Sequence, residues 1–254
     1  MDSREKELLK KIGEQAVRQL WREAFGGKAH GSRHLYRVNR IAMYLWEREG
    51  GDEFLILATA WVHDVSLAQG DDSDPAKVEA FTMGFLRKFE ALSEAESRMI
   101  AQCAGAHETG GEDLPLEARI VHDADVLDKS GMLGVVRHIW KMTHMLKGRV
   151  LYTEKDLDEL RDHLTEREGK LFSKTARNLG KILNEPRKLF FGDRTFAVKT
   201  MTWISNLDQQ GVICEKVAEM LLKKSSHPSL VLLKDQLSCD FLSSFNNQEG
   251  ETPK

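Results

Sequence analysis

Residues 53–64, EFLILATAWVHD, decide how the rest of the chain is read. The run is apolar and rich in helix formers, and it ends abruptly in two metal-capable side chains, His63 and Asp64. The polar and acidic segment LAQGDDSD follows and cannot continue the buried pattern. A hydrophobic helix that closes on this pair would hold both side chains at the rim of a core. A metal site needs that rigidity on one side and access on the other. The dipeptide alone proves little, because the chain has nine His and a second such pair at His122-Asp123.

Outward from this stretch the pattern is helical in both directions. Leu8, Leu9, Ile12, Ala16, Leu20 and Trp21 form a helical stripe over residues 3–25. Phe25-Gly26-Gly27 should stop it. Ser32 is a candidate N-cap for a helix over 34–49 that buries Leu35, Val38, Ile41, Ala42 and Leu45. Asp74-Pro75 opens a helix to residue 89, proline being favoured in the first turn. Ser93 to Glu96 has the capping-box form and opens another towards 106. HETGGED reads as a loop, 115–128 and 129–147 as helices, and 173–189 and 195–224 as later ones. Between 146 and 170 charge is high and the apolar period blurs. The tail, residues 246–254, reads as disordered.

There is no strong strand alternation, repeat or low-complexity block, so the expected fold class is all-α. Residues 1–150 form the expected main domain, with 151–245 a C-terminal helical extension packed on it. Hydrophobic content of 41% and charged content of 30% suit a globular chain with a real core. A net charge of −3 gives no electrostatic case for a nucleic-acid footprint. Three Cys without a CxxC argue for reduced thiols and against a thiolate zinc site. The charged N-terminus has no apolar signal region, and no run nears the roughly 20 residues a membrane helix needs. The expected location is cytoplasmic.

Three pieces fall in chain order: His34 in HGSRHLYRV, the pair His63-Asp64, and Asp123, Asp125 and Asp128 in IVHDADVLDKSG. Imidazoles and carboxylates on separate helices suit a hard-to-borderline divalent metal. With the contexts HxxRV, ATAWVHD and DADVLDxxG, residues 20–145 resemble the HD-domain superfamily of metal-dependent phosphohydrolases. The segment LFSKTARNLGKI also resembles the C-terminal helical part of some small bacterial members. The resemblance implies an HD-domain-like helical bundle that holds its metal through His34, His63, Asp64 and Asp125, with Asp123 the alternative to Asp125. It implies one divalent ion (Mn, Fe, Ni, Co, Zn or Mg) and hydrolysis of a phosphate ester on a small metabolite or nucleotide.

Asp64 is a candidate both as ligand and as proton acceptor. His107, at a helix end in AGAHETGG, is the second catalytic candidate, for donation to a phosphate or ligation of a second metal. Its bland alternative is a histidine favoured by the helix dipole. Arg37 and Lys129 are the candidate phosphate contacts. Against them stands, for Arg37, an ordinary surface ion pair. Asp128 either orients a neighbour or caps its helix.

Alarmone-hydrolysing members carry acids shortly after the pair, as HDxxED, where this chain has Leu67 and Ala68. That puts alarmone hydrolysis in doubt, leaving Asp71, Asp72 and Asp74 as acids in the following loop. The rival class is a catalytically silent metal-binding or ligand-sensing module. Lys174, Arg177, Lys181, Arg187 and Lys188 make a basic stretch without interleaved aromatics, which a solvated helix face explains at least as well as nucleic-acid binding. The expected partner is a small phosphorylated substrate, without membrane; a homo-oligomer stays open.

Overall fold

Asp52 caps the helix that the opening stretch forms: its carboxylate accepts the Leu55 N–H at 2.9 Å. In the computed structural model this helix is α3, Glu53–Val62. The structure describes residues 1–23, 31–69, 74–107, 111, 113–145, 149–243 and 245. The stop at residues 25–27, Asp71, Asp72, most of HETGGED and the tail lie outside them, as do the side chains of Trp21 and Ser32. Among the described residues there are twelve α-helices and two short 3-10 helices, and no strand. The all-α class follows directly. No helix there is long and apolar enough to cross a membrane.

Two compact units divide the chain: Met1–Asp125 with Leu171–Ala176, and Val126–Lys170 with Arg177–Lys254. The first holds α1 (Ser3–Glu23), α2 (Gly31–Glu49), α3, α4 (Pro75–Leu86) and α5 (Glu94–Ala106). It also holds the greater part of α6 (Leu116–Asp128). α3 packs against α1, α2 and α5. That is why it reads as apolar nearly all round: Phe54, Ile56, Leu57, Ala58, Ala60 and Val62 are all buried. The stripes foreseen on its neighbours are buried too, through Leu8, Ile12, Ala16 and Leu20 on α1 and Leu35, Val38, Ile41 and Leu45 on α2.

The expected helix over 53–64 ends two residues early. His63 is its C-cap, with the His63 N–H donating to Thr59 O at 2.9 Å. A 3-10 helix, Val65–Gln69, continues the chain, and Val65 and Ser66 are buried. Burial ends at Leu67, where the polar segment that could not continue the buried pattern begins. Asp74 and Pro75 open α4 as expected, Asp74 accepting from Ala76 N–H at 3.1 Å. Ser93 and Glu96 form the reciprocal capping box of α5. Arg4 of α1 also donates to both Glu96 oxygens, at 3.0 and 2.9 Å, and holds that carboxyl down at about 2.

The second unit is built on α7 (Gly131–Met145), which packs against α8 (Glu154–Glu168), α10 (Arg194–Gln209), α11 (Cys214–Lys224) and α12 (Leu233–Ser238). Most of α9 (Lys174–Gly192) belongs here as well. α8 fills the segment where the apolar period blurred. Only Leu157, Leu160 and Leu164 are its buried hydrophobics, and a Thr153–Asp156 capping box starts it. The single helix expected over 195–224 is two helices, broken where Gly211 takes φ +80°. Gly131 at φ +60° opens α7, and a Cβ there would lie 2.7 Å from Leu183 O.

Candidate metal centre

His34 comes from α2 and His63 caps the C-terminus of α3, and both rings are buried. Their Nε2 atoms face each other at 3.3 Å. Asp64 follows His63 directly, and its Oδ2 lies 3.2 Å from His34 Nε2. Asp125 arrives from α6, with Oδ1 3.1 Å from His34 Nε2 and 3.6 Å from His63 Nε2. His107, the C-cap of α5, brings its Nε2 to 3.8 Å from Asp64 Oδ1, with its ring edge-on to His63 at 4.9 Å. Two overlapping groups result, His34–His63–Asp125 and His63–Asp64–His107, each with its ligand atoms within 4.8 Å of one another.

The far sides of two of these rings decide which nitrogen carries the proton. His63 Nδ1 lies 2.9 Å from Ala60 O, and His107 Nδ1 lies 2.6 Å from Ala104 O. A carbonyl only accepts, so each Nδ1 carries the proton and each neutral ring turns a lone pair on Nε2 towards the cluster. Such a backbone contact is the usual outer-shell support of a metal-binding histidine. With the proton on Nδ1, a neutral His107 accepts at Nε2, and donation to a phosphate requires the imidazolium.

Two imidazole nitrogens facing each other, with two carboxylates on them, are a donor set that asks for a cation. Ligand atoms about 2.1 Å from one ion stand roughly 3.0 Å apart at right angles and roughly 3.4 Å apart at the tetrahedral angle. The contacts of His34 with Asp64, Asp125 and His63, at 3.1 to 3.3 Å, fall in that range. The residues present fit a divalent metal.

The other acids of α6 are committed elsewhere. Asp123 accepts the backbone N–H of Phe172 and of Ser173, each at 2.8 Å. Burial pushes its pKa up against those hydrogen bonds. Asp125, not Asp123, therefore stands in the cluster. Asp128 belongs to the second unit, paired with Arg137, and so does Lys129. Arg37 is only 4% exposed, one turn along α2 from His34, so the surface ion pair does not describe it.

Two supports escaped the sequence. His122 Nδ1–H donates to His107 O at 2.5 Å and its ring meets Phe172 at 5.0 Å. That histidine holds the backbone of His107 and is not in either metal-capable group. Phe172 and Ser173 come from LFSKTARNLGKI, whose likeness to a C-terminal family segment was the one available signal.

Residues 31–130 match the family model of the HD domain. No curated protein matches the chain. Among solved structures, a Lactobacillus plantarum protein aligns with TM-score 0.60 at 24% identity, over 74% of this chain and 95% of its own. An HD-superfamily hydrolase of Bacillus thuringiensis aligns with TM-score 0.53 at 24% identity, over 70% and 90%. Bacillus subtilis YpgQ, solved in complex with ADP, aligns with TM-score 0.52 at 22% identity, over 82% and 96%.

Proposed function

We propose that this chain, an HD-domain protein through residues 31–130, is a metal-dependent phosphohydrolase of a small phosphorylated metabolite or nucleotide. The carrying observation is the convergence of His34, His63, Asp64 and Asp125 within one buried cluster. These four would hold one divalent ion. Such an ion stabilises charge on a phosphoryl group and lowers the pKa of a water molecule it binds.

The chain's own residues supply the rest. Asp64 both faces the cluster and lies 3.8 Å from His107 Nε2, so a proton taken up by the carboxylate has an imidazole lone pair as its next acceptor. Ala104 O keeps that ring in the accepting tautomer, and the His122–His107 contact holds its backbone. Arg37 is the proposed cationic contact for the phosphate, and Lys129 the second candidate. That YpgQ was solved with ADP makes nucleoside phosphates the first substrates to try.

The rival, a binding or sensing module without turnover, has one specific observation in its favour. Leu67, where alarmone hydrolases carry an acid, packs against the apolar core of the first unit.

Elemental analysis of the wild type and of His63→Ala, followed by a phosphatase and phosphodiesterase panel with metal restored, separates the two. Near-stoichiometric metal lost in the variant, together with at least about a 100-fold fall in hydrolysis, is the expected result. Metal without turnover on any substrate favours the sensing module. No metal after resupply sinks both.

A further inference from the structure

In the second unit, α8 and α9 line a cavity of about 330 Å³. Its charged lining is cationic in excess, with Arg161, Lys181, Arg187 and Lys188 against Glu168 and Glu185. Three of these cations belong to the basic stretch that a solvated helix face explained at least as well as nucleic-acid binding. Arg187 does not fit that assignment. It is 7% exposed, and burial lowers its pKa, yet a guanidinium stays charged in proteins. Its Nη2–H donates to Glu168 Oε2 at 2.7 Å, one partner for a fork of several donors.

A neighbour in the lining has the same surplus of donors. Asn184 is 5% exposed, and its Oδ1 accepts the Gly131 N–H at 2.8 Å. That bond fixes the amide orientation. Its buried NH2 then has no hydrogen-bond partner among the described residues. Buried donors are nearly always satisfied, so this one calls for an acceptor. Lys181, exposed on the next turn of α9, is in no ion pair among the described residues. Lys188 is held by Glu185 and Arg161 by Asp158, in exposed pairs that exchange cheaply. The cavity thus offers buried donors, excess positive charge and the half-buried ring of Phe191. Its volume is at the small end of ligand pockets, which span roughly 300–1,000 Å³.

We propose that this cavity is a metal-independent binding site for a small phosphorylated metabolite. The Arg187 guanidinium, the Asn184 NH2 and the Lys181 ammonium hold the phosphate oxygens, which only accept, and the Phe191 ring lies against the organic part. Planar bidentate donation is what a guanidinium brings to a phosphate. The site needs neither the metal cluster nor hydrolysis, so it stands or falls apart from the proposed activity.

The test is calorimetric titration of the full chain with inorganic pyrophosphate in the presence of EDTA. Wild type and His63→Ala should bind one equivalent alike. Lys181→Ala and Arg187→Lys should each bind about tenfold or more weakly, the second keeping charge but losing the fork. Lys234→Ala, an exposed lysine outside the cavity, should bind as wild type does. Should Arg187→Lys melt early, the exposed Lys181→Ala decides. No saturable binding by the wild type overturns the site. So does undiminished binding by Lys181→Ala, an equal loss in Lys234→Ala, or loss in His63→Ala, which would put the anion in the metal cluster.

Discussion

His63 and His138 begin from the same local device and end in opposite surroundings. Each is buried in its own unit, and each donates Nδ1–H to a carbonyl of its own chain, Ala60 O at 2.9 Å and Gly134 O at 2.8 Å. In its neutral form each ring therefore holds a lone pair on Nε2. Around His63 stand carboxylates, Asp64 at 3.5 Å and Asp125 at 3.6 Å. Around His138 stand cations and a second imidazole: Arg167, Arg137 and His163, whose ring lies 4.9 Å away. Burial, and then Arg167, push the pKa of His138 well below its usual value. The carbonyl contact orients a histidine; the charges around it decide whether it invites a metal or stays a neutral core residue.

Breaking the anionic side should have the largest effect. In Asp125→Asn the metal-induced rise in unfolding free energy should vanish, whereas the wild type should gain about 2.7 kcal/mol at a hundredfold excess over Kd. The metal-free variant should be no less stable than metal-free wild type, because a carboxylate has left a cluster without its counter-ion. Denaturant melts with and without metal check both halves, and metal stabilisation that survives in Asp125→Asn would put the ion elsewhere.

The cationic side predicts a smaller, pH-dependent effect. With its folded pKa depressed, His138 binds fewer protons in the native state than in the unfolded one. Its contribution is therefore complete above pH 6.5 and is lost as pH falls below that, until the folded pKa is reached. The slope is at most about 1.4 kcal/mol per pH unit. His138→Leu should flatten that limb of the stability curve, and Arg167→Gln should move the His138 NMR titration upward. An unchanged titration in Arg167→Gln would show that burial alone sets it.

The smallest effect belongs to an exposed pair. Glu96, held at about 2 by Arg4, contributes stability above pH 4.5 that is lost as pH falls towards 2. Arg4→Ala should lose that acid limb, with little change in the melting temperature at neutral pH. A large neutral-pH loss would mean that Arg4 acts through its contacts with Ala91 O instead.

The parts of the fold that were legible in the sequence are those with a local cause. The capping chemistry of Asp74-Pro75 and Ser93–Glu96 acts within four residues, and the stripes of α1 and α2 follow from helical period. α8 was illegible because its charged faces swamp a three-leucine seam. The break between α10 and α11 hung on one glycine in a run of good helix formers. At the site, the order of His34, His63-Asp64 and the α6 acids was visible. Asp125 over Asp123 came from the resemblance alone, and what engages Asp123, two amide groups some fifty residues later, was not visible. Arg187 shows the same limit, because helical charge spacing says nothing of what covers it.

Those two amide groups also bear on how the chain is made. Asp123 receives its partners, Phe172 and Ser173, only after a further 49 and 50 residues have been added. A ribosome that has delivered α1 to α6 has produced every side chain of the metal cluster, yet an acid two residues from Asp125 still faces no amide. The nascent first unit must wait for the passage of residues 126–170, at 5–20 residues per second roughly 2–9 seconds of synthesis. A fragment ending at residue 150 would stay permanently in that interval, with Asp123 lacking both of those amide partners.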